Sequence, residues 1–273
     1  MITRTTVTDD DGSGTTGTIG DQAWLTILYD TLDARWSRFT YTSTGGQNNL
    51  DVDEADLVLL NSASDSAITG LQAPVSPAKP GKITIFKNVH ATSIFTFAHN
   101  SGSSSAGNKF FNPVTSAAIP VAPGGAIAYQ YDDVNSRWNY LWHDQGAWIT
   151  PTFAAGNFTG LSAMTWTVGS GDVTTYASKL DGRRLTVAWS IDLTTVGGTP
   201  SSALQIAIPG GFTSTKTMAN AITVNDNNGG FLFGFAQAAA AAVVISVFRS
   251  ALATWSASTD LTSVRGELAF EVT

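Results

Sequence analysis

The sequence predicts a mainly β protein with one short helix near its start, a central β-sandwich-like module and a C-terminal jelly-roll β-sandwich. Three observations predict it. Several runs alternate apolar and polar side chains with period two, the spacing of a sheet with one buried face. Val, Ile, Thr, Phe, Tyr and Trp, the residues that suit a pleated surface, are abundant. Clusters of Gly, Asn, Ser and Pro cut these runs into short strands. The same signals divide the 273 residues into an arm with a short helix and linker (1–50), a central β-rich module (51–146) and a C-terminal domain (147–273).

Residues 3–20 are largely Thr, Asp and Gly and predict an extended arm or linker. Asp21 is placed to cap a helix. Trp24, Leu25, Leu28, Leu32 and Trp36 recur at steps of three and four, so a helix is expected near 21–37. Such a helix is roughly 25 Å long at about 1.5 Å per residue. It is marginal alone, so its apolar stripe is expected to pack on copies of itself or on a partner. Residues 40–52 read as a further linker.

In the central module Leu57-Val58-Leu59-Leu60 reads as a buried strand. Strand signals follow at 82–86 and 93–97, then at 126–131 and 137–142. Turns are expected at Asn88, at 100–108, at Pro123-Gly124-Gly125 and at 132–136. In the C-terminal domain Leu185, Val187, Trp189, Ile191 and Leu193 share one phase of a long strand. Leu204, Ile206 and Ile208 repeat the pattern, as do Leu268, Phe270 and Val272. Turns are expected at 169–171, at Gly197-Gly198 and at 225–230. The alanines 238–242 precede the strand signal of 243–248 and read as a loop or a strand start, with side chains small enough for a neighbouring subunit to approach.

Composition bounds function. Apolar residues make up 43%, enough for real cores, while charged residues are only 13%, about half the usual share. Ser, Thr, Asn and Gly supply the polarity, as on many extracellular β proteins. The net charge is −7 and no Lys/Arg cluster is present, so neither nucleic acid nor an anionic membrane is an expected partner. There is no cysteine, hence no disulfide or thiol chemistry. The chain opens Met1-Ile2-Thr3-Arg4 without an apolar segment, so no secretory signal is expected, and no apolar run is long enough to insert in a bilayer.

No constellation of catalytic residues emerges. His90, His99 and His143 have no metal-ligand spacing and read as turn or surface residues, with a structural hydrogen bond expected at His99. Asp9-Asp10-Asp11-Gly12 has the flavour of a calcium loop, but Val7 and Thr18 occupy the positions where the first and last carboxylates belong. Asp132 and Asp133 are explained by a turn. Glycoside cleavage needs two carboxylates about 5–10 Å apart. Glu267 and Glu271 would stand about 13 Å apart on one strand, and nothing pairs Asp172, Asp181 or Asp192. No catalytic residue, metal or cofactor is therefore expected. Aromatic faces stack on sugars. Of Trp166, Trp189 and Trp255, Trp189 lies on an apolar phase and reads as core, whereas Trp255 sits in a loop-like stretch and is the expected exposed ligand contact.

Three stretches resemble bacteriophage tail-fibre and head-fibre proteins. One is the arm and Trp-containing helix of 5–33. The second runs from Ala67 to Trp142 through Ile68-Thr69-Gly70-Leu71, Pro80-Gly81-Lys82-Ile83, Ala98-His99-Asn100-Ser101, Ser104-Ser105-Ala106-Gly107-Asn108, Tyr131-Asp132 and Arg137-Trp138. The third is the C-terminal domain, with Tyr176, Leu180-Asp181-Gly182-Arg183 and Leu204 to Gly210, which looks like a head of the tumour-necrosis-factor class. The resemblance implies a non-enzymatic virion protein, assembled in the host cytoplasm as a homotrimer. It would attach to other virion proteins, tail or capsid, through the N-terminal arm, and bind a host cell-surface glycan or protein through its head. The alternatives are a capsid decoration protein with the same trimer seated on the shell, a polysaccharide depolymerase tailspike and a bacterial adhesin head.

Overall fold

The computed structural model describes residues 37–74, 81–113 and 115–273. The helix expected near 21–37, with Trp24, Leu25, Leu28, Leu32 and Trp36, and the calcium-like segment near Asp9 lie outside the described residues, apart from Ser37. The described chain is mainly β, with sandwich-like sheets in its first part and a nearly closed, barrel-like sheet in its second.

The first part holds β1 (Arg38–Tyr41), β2 (Leu57–Leu60), β3 (Ser66–Ile68), β4 (Ile83–Asn88), β5 (Phe95–Phe97), β6 (Phe110–Phe111), β7 (Ile119–Val121), β8 (Gly124–Asp132) and β9 (Arg137–Gly146). Six of them form a sheet in the order β1-β2-β4-β8-β9-β6, and β3-β5-β7 form a smaller one. Between the two lies an aromatic core. Phe86, Phe97, Phe110 and Tyr129 are fully buried and meet ring on ring, at centroid separations from 4.2 to 6.5 Å. The buried polar groups beside this aromatic core are paired, as burial demands. Tyr129 donates to Asn112 Oδ1 at 2.9 Å, while Asn112 Nδ2 donates to the carbonyls of Phe97 and Ala117. Trp138 donates its indole N–H to the Leu71 carbonyl.

The segment 40–52, expected as a linker, belongs to this module. Tyr41, Leu50 and Val52 are buried in its core, and β1 pairs in parallel with β2. Its polar, glycine-rich composition hides the membership, because isolated apolar residues rather than a periodic run make the contacts. Bridges at Gln47 and Leu50, to Ile68 and Leu71, carry the backbone along the sheet without forming a full strand.

The second part holds β10 (Phe158–Gly160), β11 (Met164–Thr167), β12 (Val173–Asp181), β13 (Arg184–Gly198), β14 (Ala203–Ala207), β15 (Met218–Asn225), β16 (Phe231–Ala238), β17 (Val244–Arg249) and β18 (Ser258–Glu271). They form one curled sheet in the order β10-β14-β17-β16-β15-β18-β13-β11, with β12 also paired to β13. The two end strands come back together: at Gly160 on β10 a Cβ would collide with the Met164 carbonyl at the start of β11. The interior is filled by Trp166, Tyr176, Leu185, Val187, Trp189, Ile191, Leu204, Ile206, Val264 and their neighbours.

The long apolar phase of β13 ends one residue pair early. Leu185 through Ile191 point inward as expected, but the pairing with β18 slips after Ile191 and Leu193 takes a positive φ of 56°. Leu193 is turned out, 62% exposed, and Thr194 takes the buried place. A bulge reverses the faces beyond it. The exchange is useful: Thr194 Oγ1 accepts the Trp166 indole N–H at 2.7 Å and donates to the Thr262 carbonyl at 2.8 Å. Gly197-Gly198, expected as a turn, ends β13 and pairs with β11.

Candidate binding surfaces

The two parts meet at a joint built by β9 and β12. Gln145 is buried, at the end of β9. Its Oε1 accepts the Leu180 N–H, and its Nε2 donates to the carbonyls of Ser178 and Ala147. Ile149 and Ser178 exchange two backbone bonds of 2.9 Å. At Gly125, which pairs against this end of β9, a Cβ would collide with the Gln145 carbonyl. Beside the joint opens a cleft of about 290 Å³ lined from both parts, by Asp65, Ile94 and Pro120 on one side and Ile149, Pro151 and Phe212 on the other. Pockets at such junctions are preferred places for ligands.

His143 sits next to this joint. It is buried, with Nδ1 2.9 Å from the Tyr140 hydroxyl. Burial pushes its pKa down, against the opposing pull of Asp181 and Asp144. His90 Nδ1 accepts the Ser93 N–H within a turn. His99 Nδ1 accepts the Asn112 N–H at 2.9 Å, the structural bond expected of it, and desolvation lowers its pKa.

Most of the carboxylates considered above are engaged in local structure. Asp132 accepts the N–H groups of Val134 and Asn135 and the amides of Asn135 and Asn139, which lower its pKa and close the turn. Asp56 pairs with Lys82. Asp192 pairs with Arg265 at 2.9 Å, and Glu271 with Lys216 at 2.9 Å. Asp172 caps its own turn through the Gly169 N–H. Glu267 and Glu271 lie on β18, and only Glu271 has an ion-pair partner among these. Among the described residues no group of three or more His, Cys, Asp or Glu is gathered as a metal site would require, and no helix is long and apolar enough to cross a membrane.

Trp255, expected as the exposed ligand contact, is 1% exposed and belongs to the C-terminal core. The loop that carries it is drawn inward by a buried charge. Asp226 accepts both the N–H and the hydroxyl of Ser256, and pairs with Arg249 at 2.7 Å. Arg249 in turn donates to the Thr254 carbonyl. The Trp255 N–H goes to the Ser201 carbonyl. Trp166 and Trp189 are buried as well.

The exposed aromatics are others. Trp142 and Trp148 are each 45% exposed. Trp142 stands on the outer face of the six-stranded sheet, at the end of a cross-strand row that runs Leu57, Ile85, Ala128, Trp142. Phe231, Leu232 and Phe233 protrude from the β15–β16 hairpin. For this group a signal was available: three consecutive large apolar residues directly after the turn signal of 225–230, too apolar for a turn flank unless covered.

No family model matches the chain, and no curated protein matches it in sequence.

Proposed function

We propose that this chain is a non-enzymatic structural protein of a virus particle, a homotrimeric fibre whose distal head binds the host cell surface. The observation that carries the reading is the division of labour among its side chains. The histidines and most of the carboxylates described above are engaged in turns, ion pairs and the joint, while Trp142 and Trp148, on the outer surface, are each nearly half exposed. Surfaces that bind do so chiefly through aromatic anchors. The low charge and the hydroxyl- and amide-rich surface suit an extracellular β protein. Three copies of a weak contact would hold far more tightly than one.

The test is direct. Purified protein, fluorescently labelled, should bind host cells and compete with infection, and an antibody against it should decorate intact particles at the tail. Decoration of the shell would place it as a capsid fibre instead. Release of oligosaccharides from capsule or lipopolysaccharide would replace the binding role with a depolymerase.

A further inference from the structure

On β16 the residues Gly234, Ala236 and Ala238 face inward: the two alanines are fully buried, and at Gly234 a Cβ would collide with the Phe248 carbonyl and Val224. Alternation therefore turns Phe231, Phe233 and Phe235 outward along one line. Phe231 is 55% and Phe233 80% exposed. Phe248 of β17 extends the line by stacking on Phe235, with centroids 4.7 Å apart and planes 18° off parallel. Beside this ridge runs a depression. The register sets Ala221 against Phe235 and Thr223 against Phe233, and both Ala219 and Ala221 are exposed.

We infer that this face of β15, β16 and β17 is where copies of the chain associate, the phenylalanine ridge of one copy seated in the alanine depression of the next. Two features select a second copy as occupant. Ridge and depression match in size and are separate strips of the surface, so the ridge of one copy can meet the depression of the next, the head-to-tail contact by which identical subunits close a ring. The face also offers no charge to a different partner: Arg249 is the one charged residue in the three strands, and Asp226 already holds it. Charge appears only at the margin, on β18, where Arg265 lies 5.0 Å over the Phe231 ring and pairs with Asp192, and where the exposed Glu267 lies two residues farther along the strand. An apolar centre with a polar rim is the usual anatomy of an interface. Phe231 and Phe233, with the partly covered Phe235 and Phe248, leave on the order of 300 Å² of apolar surface in water, well over a third of the roughly 800 Å² per partner of a standard interface.

This deepens the homo-oligomeric part of the reading above and is independent of the particle to which the protein belongs. The test measures mass by light scattering of the full chain, with near-ultraviolet circular dichroism to report the fold. The wild type should show a multiple of 28.6 kDa. Phe233→Asp should shift it to a monomer with an unchanged spectrum, and Phe233→Ser serves where the aspartate variant does not fold. Ala221→Trp separates fit from stickiness. It adds apolar surface but fills the depression, so it too should give monomer; an undiminished oligomer would overturn the inference. So would a monomeric wild type, or a folded Phe233 variant that keeps the wild-type mass. Failure to find the protein on particles would sink the proposed role and leave these masses as they are.

Discussion

Gln145 accepts the backbone N–H of Leu180 at 2.7 Å, one buried carboxamide reaching from the last strand of the first part into the second. The same side chain donates to the carbonyls of Ser178 and Ala147, of which the Ser178 carbonyl also accepts the Ile149 N–H. Gln145→Ala is expected to destabilise the chain by about 2–4 kcal/mol, because buried groups left without partners cost about 1–3 kcal/mol each. Urea denaturation followed by tryptophan fluorescence should show it, with the single transition giving way to two as the parts uncouple.

His143 makes stability depend on pH. Burial holds its folded pKa below the unfolded value of about 6.5, so the unfolded chain takes up a proton first as pH falls. Its contribution is therefore fully present above about pH 6.5 and is lost progressively below it. Comparing urea midpoints of the wild type and His143→Gln at pH 8 and pH 5 checks this. The wild type should lose more stability than the variant on acidification, and equal losses would contradict the assignment.

Thr194 occupies the inward place that the bulge takes from Leu193. Thr194→Val keeps the volume but leaves the Trp166 indole N–H and the Thr262 carbonyl without their partner. A loss of about 1–3 kcal/mol is expected, read as a lowered urea midpoint with an unchanged slope.

Asp226 anchors the loop that buries Trp255. Removing it in Asp226→Ala takes the ion-pair partner from the partly exposed Arg249 and frees Ser256, and the loss of these charge-assisted bonds costs about 1.5–3 kcal/mol. Trp255 should then be quenched by iodide, whereas in the wild type it is shielded. Retained shielding would show that the loop is held by its other contacts.

These sites show how far the sequence could be read. The strands at Leu57–Leu60, Leu185–Ile191 and Leu268–Val272 were legible because period-two alternation is a local property and burial follows from it directly. The strands of Met218–Asn225 and Phe231–Ala238 were not, since their apolar residues fall on both faces. Trp255 was misread for a related reason. Its segment lacks alternation and looks like a surface loop, and contacts to residues distant in sequence, Ser256 to Asp226 and the Trp255 backbone to Ser201, draw it into the core.

By itself the sequence determined the β class, the low charge and the order of the strongest strands, because propensity, alternation and turn chemistry act within a few residues. The tertiary structure decided which strands pair, that residues 40–52 belong to a core, that Leu193 faces water and Thr194 does not, and that phenylalanines rather than Trp255 form the exposed aromatic ridge. Those outcomes depend on register and on contacts between distant segments, where a slip of one residue exchanges the buried and exposed faces.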